Sequence, residues 1–298
     1  MYIEMAAKTD RGRVRDRNED NFLVVEFDQT CSVRNASIES VAGQSVHHEA
    51  MMILVADGMG GQAEGDLASR IIVEHFAKFA KSRASTILAS ADANEEMREL
   101  LCGELELCHT ALKREAEANA ELRGMGSTAT VAVVAWPTLY VAHVGDSRCY
   151  LFRDGRLRQL TRDHSVAQLY VDQGYMNASE VSTSEFRHRL WNVIGGNVEE
   201  IVVDFHEFDL QEHDALLLCT DGLTNRLTDV ELADELRSSG ATSEICDSMV
   251  AAANAAGGKD NITCALTRFA ADKSVSSAVC NFETLPCGIQ GLPAPGIP

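Results

Sequence analysis

The sequence is short of positive charge. Its 298 residues carry 26 Lys and Arg against 45 Asp and Glu, a formal charge of −19. A nucleic-acid binder needs a basic face for the phosphate backbone, so that class is set aside. It also lacks paired cysteines: Cys31, Cys102, Cys108, Cys149, Cys219, Cys246, Cys264, Cys280 and Cys287 form no CxxC, and several sit inside apolar runs. That pattern reads as reduced cytosolic usage, neither a disulfide framework nor a zinc site, which wants His and Cys at short spacing. A long apolar run is missing too. The longest uncharged stretch, residues 124–145, is interrupted by Ser127, Thr128, Thr130, Pro137 and Thr138. It reads as two strands around a Trp136-Pro137-Thr138 turn and not as a membrane span. MYIEMAAKTDRGRVRDRNED, at the N-terminus, has no apolar segment flanked by basic residues, so no secretory signal is expected and the cytoplasm is the expected compartment. Proline is scarce, and four of the five lie beyond residue 270. Residues 1–270 are therefore expected as the folded domain and 271–298 as a tail that stays mobile or folds against a partner.

What the chain does have is an ordinary globular composition, 45% hydrophobic and 24% charged, and enough length for a sizeable core. Its distinctive feature is an apolar run stopped by Asp-Gly. Ile53, Leu54, Val55 and Ala56 lead into Asp57-Gly58, and Leu216 to Thr220 lead into Asp221-Gly222. Singly, each is ordinary turn chemistry. Three more segments place an Asp beside a strand end: Asn18-Glu19-Asp20, Gly145-Asp146-Ser147-Arg148 and Lys259-Asp260-Asn261. Five such carboxylates at one edge would repel one another, and a hard divalent cation with oxygen ligands reconciles them.

Periodicity supplies the scaffold. Strands are expected at 1–8 and 22–27, with a polar hairpin insertion over 28–49. A helix from Gly65 is marked by Ala68, Ile72, Phe76 and Phe79, and a second over 94–118 by Met97, Leu101, Leu105, Cys108 and Leu112. Strands follow at 127–135, 139–144 and 148–153, with Asp154-Gly155 as a hairpin turn into a fourth. Residues 163–197 start helical and become a flap, and strands return at 201–208 and 215–220. A capping box, Thr228 to Glu231, opens a helix, and a last helix over 243–256 precedes a strand at 262–269. Strands in runs and helices in pairs give an α+β fold, a sandwich of sheets with helices outside.

VRDRNEDN, VADGMGG, GMGSTA, VGDSRCY, LTRDHS, CTDGLTN and GGKDNIT, in that order from Arg15 to Thr263, resemble the successive motifs of the metal-dependent protein phosphatase family (PPM, type 2C) in its compact bacterial form. The resemblance implies a four-layer α-β-β-α sandwich of two antiparallel sheets flanked by helix pairs. It implies hydrolysis of phosphoserine and phosphothreonine on proteins, reversing a Ser/Thr kinase, by a hydroxide shared between two Mn²⁺ or Mg²⁺ ions. In that reading Asp57 bridges the ions, with Asp221 and Asp260 on one and Asp20 and the Gly58 carbonyl toward the other. Asp146 joins Asp221 at a third ion, and Arg15 grips the substrate phosphate. Glu19 and His164 are further candidates, Glu19 acting through water and His164 as a structural hydrogen bonder. The partners implied are phosphorylated proteins, with the enzyme a monomer. Met59 and Gln62 depart from family positions where some members carry His, which leaves the proton donor to the leaving group open.

Rival readings stand beside this one. Cys108 to Arg114 fits a Cys-x5-Arg thiolate signature but lacks glycines to turn amides onto phosphate, and Cys108 lies on a core stripe. A catalytically silent phosphoprotein-binding module on the same fold should have lost metal ligands, and a structural Ca²⁺ site would bind without turnover.

Overall fold

The computed structural model describes residues 2–27, 32–36, 50–60, 64–89 and 94–270. In chain order the strands and helices are β1 (Tyr2–Asp10), β2 (Asp20–Phe27), β3 (Ser32–Ala36), β4 (Ala50–Met59), α1 (Glu64–Ala89) and α2 (Asn94–Ala118). Then come β5 (Gly126–Ser127), β6 (Ala129–Ala135), β7 (Thr138–Val144), β8 (Arg148–Arg153), β9 (Arg156–Gln159) and α3 (Val166–Asp172). The remainder is β10 (Ile194–Gly195), β11 (Asp204–Asp209), β12 (Ala215–Cys219), α4 (Asp221–Thr224), α5 (Asp229–Leu236), α6 (Thr242–Ala255) and β13 (Ile262–Ala270). The strands form two sheets. One runs β1-β13-β12-β8-β9; the other holds β4 between β2 and β6, continues through β7 to β11, and carries β3 beside β2. Every pairing is antiparallel.

Why β4 reads as an unbroken apolar run is now plain, because both of its faces are covered. Met52, Leu54 and Ala56 pack under α1 and α2 with Ile72, Phe76, Leu101 and Leu105. Their neighbours Met51, Ile53 and Val55 pack across the sandwich against Leu216, Leu218 and Phe269. Beyond the second sheet, Leu217 and Cys219 meet Leu232 of α5 and Met249 of α6. The layers are therefore α-β-β-α, as expected. Alternation does the rest: Asp57 follows Val55 by two, and Asp20 precedes Phe22 by two, so both point into the gap between the sheets.

Several boundaries differ from the sequence reading, each for a hydrogen-bonding reason. Asp57 does not end its strand; β4 runs on to Met59, with Gly58 and Met59 paired to β5. Asp221-Gly222 is not a turn but the opening of α4, with Thr220 at the N-cap position. The strand expected from 201 begins at Asp204, because the Asn192 side chain takes both backbone groups of Val202 (2.7 and 3.1 Å) and withholds them from β7. The Thr228–Glu231 capping box is present. Of the 28–49 insertion, residues 32–36 pair with β2 and the rest lies outside the described residues, as do Gln62, Cys31, Cys280, Cys287 and the 271–298 tail. No helix among the described residues is long and apolar enough to cross a membrane.

Ile53 is 1% exposed in the inter-sheet core. Ile53→Ala should lower unfolding free energy by about 2–5 kcal/mol, read as a shifted urea midpoint at constant slope.

Candidate active site

The five aspartates singled out by sequence converge at one end of the gap between the sheets. Asp20 and Asp57 are direct cross-strand partners in the β2–β4 ladder. Asp221 opens α4 just beyond β12, Asp260 sits just before β13, and Asp146 lies between β7 and β8. Asp20, Asp221, Asp146 and Asp260 all act electrostatically on Asp57.

Backbone groups, hydroxyls, an amide and a guanidinium hold four of the five aspartates. The Asp57 N–H donates to Thr128 Oγ1 (3.0 Å), and the Asp57 carbonyl accepts from Thr128 N (2.9 Å) and Ser127 Oγ (2.9 Å). Asp20 is 2% exposed; its Oδ2 accepts from Thr220 Oγ1 (2.8 Å) and Thr263 Oγ1 (2.7 Å). Asn225 Nδ2 donates to Asp221 Oδ2 (2.8 Å). Asp260 Oδ1 accepts from the Asn261 N–H (2.9 Å) and its Oδ2 from Arg15 (2.8 Å). Among the described residues, Arg15 is the one Arg or Lys bonded to any of the five.

Burial of so much like charge shifts the acids upward. Asp20 is pushed up to about 7, by desolvation first, against the help of its two threonines. Asp57 and Asp146 are raised well above the carboxylate range by desolvation and then by neighbouring aspartates. Glu19, half-buried beside them, is raised for the same first reason, while Arg15 lowers it. The Arg15 guanidinium is raised in turn, chiefly by its bond to Asp260.

The donor set fits a hard divalent cation. Asp20 Oδ1 and Asp221 Oδ1 are buried and meet no hydrogen-bond donor, although an ionised carboxylate oxygen only accepts. A cation satisfies both atoms and reverses the repulsion at once. Gly58 is required beside them: a Cβ there would stand 2.0 Å from the Gly65 carbonyl oxygen and 2.7 Å from that of Glu19.

The charged loop before Asp20 is not a free surface segment. Asn261 accepts from the Glu19 N–H (2.8 Å) and donates to the carbonyls of Arg11 (2.9 Å) and Arg17 (2.8 Å). Gly12 sits at φ +78°, and a Cβ would fall 2.1 Å from the Asp260 carbonyl oxygen. Arg15 is thus carried on a loop clamped to the residues around Asp260. His164 is 3% exposed and does not reach the acids. Its Nδ1 accepts from Gly145 N (3.1 Å) and Asn192 Nδ2 (2.8 Å), so its Nε2 carries the proton and donates to Asp204 Oδ2 (3.2 Å). It ties the residue before Asp146 to the flap and to β11. Met59 lies at the end of β4 and carries no titratable proton.

Sequence reasoning missed Thr128, Thr220, Thr263 and Asn261 as supports. The available signal was a hydroxyl where the alternation calls for an apolar residue, as at Thr263, two before Ala265 of the inter-sheet core.

Comparisons with known proteins agree with this geometry. The sequence profile described as protein phosphatase 2C matches residues 40–267. The serine/threonine phosphatase stp of Listeria welshimeri is 35% identical over 86% of this chain and 92% of its own. The S. agalactiae serine/threonine phosphatase superposes with a TM-score of 0.75 at 27% identity, covering 90% of this chain and all of that one. The catalytic domain of the serine threonine protein phosphatase PstP, solved in complex with two manganese ions, superposes at 0.70 and 26% identity, covering 90% and 98%.

The raised Asp20 value has a measurable consequence without cation. A free Asp releases its proton near about 3.9, whereas Asp20 in the folded chain holds it to about 7. Between those values the folded chain binds the extra proton, so raising pH works against the fold. In chelator, the melting midpoint should fall between about pH 4 and pH 7, and Asp20→Asn should flatten that slope. An identical slope in the variant would remove Asp20 as its source.

Proposed function

Since the chain belongs to the protein phosphatase 2C family and is a divalent-metal-dependent protein serine/threonine phosphatase, we propose that the acidic cleft between its sheets is where phosphoserine and phosphothreonine are hydrolysed. The observation that carries this assignment is the convergence of five aspartates, two with unpartnered buried oxygens, with Arg15 bonded to one of them. Asp57 would be shared by two cations, with Asp221 and Asp260 on one and Asp20 and the Gly58 carbonyl toward the other. Asp146 with Asp221 would hold a third. Manganese or magnesium suits this all-oxygen set, and two or three ions match its number of carboxylates. When bound, such ions supply Lewis acidity and a water acidic enough to attack phosphorus near neutral pH.

The chain's own residues provide position and charge. The Asp57 main chain is fixed by three hydrogen bonds to Ser127 and Thr128, which sets where its carboxylate stands. Arg15 presents a planar fork that fits two phosphoryl oxygens, and its release from Asp260 frees it to do so. Residue 59, a methionine, has no proton for the leaving alkoxide, which takes it from another group. Glu19 would act on this centre through water. The silent-module alternative is not favoured, because every candidate ligand is present. We place the enzyme as a monomer in the cytoplasm, acting on the products of a Ser/Thr kinase, with residues 1–270 as the catalytic domain and 271–298 as an appended tail.

With Mn²⁺, Asp57→Asn should cut hydrolysis of a phosphothreonine peptide by more than about 100-fold, beyond what loss of a ligand's supporting hydrogen bond costs. Equal background rates for wild type and variant would point instead to a binding module. Arg15→Ala should raise KM by about 10- to 100-fold with little change in kcat, the worth of a charged hydrogen bond; an unchanged KM would contradict its role. Asp146→Ala should lower turnover while metal titration still finds the core pair.

A further inference from the structure

Away from the acidic cleft, the seam between α1 and α2 brings a side chain of one helix against two of the other. His75 comes from α1, and Glu104 and Cys108 come from successive turns of α2, four residues apart and so on one face. His75 Nδ1 lies 3.2 Å from Glu104 Oε1. A ring nitrogen, a carboxylate oxygen and the Cys108 sulfur all fall within 4.8 Å of one another. Cys108 is fully buried, Glu104 is 13% exposed and His75 32% exposed along its side chain, so the cluster opens to solvent on the imidazole side.

We propose that His75, Glu104 and Cys108 form a binding site for a borderline divalent cation, of which Zn²⁺ is the type, joining α1 to α2. Nitrogen, sulfur and oxygen together suit Zn²⁺ or Co²⁺, whereas Mg²⁺ and Mn²⁺ prefer the all-oxygen cleft. Metal–ligand lengths near 2.0–2.3 Å in a tetrahedron put donors roughly 3.5 Å apart. The nitrogen–oxygen pair is already that close, and the sulfur needs a side-chain shift of about 1 Å to complete the geometry. Three protein ligands leave the fourth position to water, entering beside His75. Binding replaces the thiol proton of Cys108, which passes to solvent, and converts a buried thiol into a ligand. The hydrogen bond between His75 and Glu104 accounts for that pair; what the metal site adds is a role for the Cys108 sulfur within 4.8 Å of both atoms. The consequence is mechanical: the site pins together the helix layer that covers β4, the strand bearing Asp57. It does not depend on the catalytic assignment.

The test uses the full chain in excess Mg²⁺, which fills oxygen sites without competing for sulfur. Added Co²⁺ should produce the near-ultraviolet charge-transfer absorption that only a cobalt–thiolate bond gives, and Zn²⁺ should abolish it by displacement. Cys108→Ser should eliminate the band, and His75→Ala, at a partly exposed position that leaves the core intact, should weaken Co²⁺ binding at least about tenfold. Zn²⁺ should raise the melting temperature of wild type but not of His75→Ala, while both keep their Mn²⁺-dependent phosphatase activity. A wild type without the band, or a band unchanged in His75→Ala, would overturn the proposal.

Discussion

Mutual repulsion among Asp20, Asp57, Asp146, Asp221 and Asp260 is the force that the surrounding structure has to contain. Removed from water, like charges interact more strongly, and one guanidinium on Asp260 does not balance five carboxyls. The fold tolerates this by distributing the acids over five separate chain segments, each anchored by its own backbone or hydroxyl bonds. No single loop has to hold two of them, so strain at the centre is resisted by two whole sheets. The same arrangement makes the site selective. Rigid, oxygen-only and net negative, it asks for a small hard cation, and its residual charge after loading governs how a phosphate dianion is received.

Strand alternation converts that electrostatic problem into geometry. Because β4 is apolar on both faces, only the position at its end is available for a polar group on the inter-sheet side, and Asp57 takes it. Asp20 arrives opposite through the register of β2. Thr220, just past β12, and Thr263 of β13 supply hydroxyls where the hydrophobic gap gives way to the cleft. Around this rim, Asn261 fastens the Arg15 loop and His164 fastens the segment bearing Asp146 to the flap. Asn261 also donates its N–H to Asp260, while His164 bonds none of the five acids; both decide where charged groups stand.

Much of the scaffold was legible beforehand because it is encoded locally. The α2 boundaries, the Met97-Leu101-Leu105-Cys108-Leu112 stripe and the Thr228 capping box follow from periodicity and cap chemistry within a few residues. Expectations failed where a distant group intervened. The strand expected at 201 starts at Asp204 since Asn192 takes the backbone of Val202, and Asp221 opens a helix where an isolated Asp-Gly suggests a turn. The charged loop before Asp20, with four arginines against four acids over residues 9–20, looks solvent-facing by composition, yet Gly12 and Asn261 press it against Asp260.

What the amino-acid order determined by itself was the inventory: which segments are strands or helices, which of them end in a carboxylate, and which motifs they resemble. Those properties depend on neighbours two to four residues away. Which carboxylates face one another, which oxygens are left without a donor, and whether an arginine lies near them depend on register across β2–β4 and β12–β13, where partners are separated by tens to hundreds of residues. The cluster of His75, Glu104 and Cys108 makes the same point. Its spacing along the chain carries no metal signal, and only the packing of α1 on α2 brings the three atoms together.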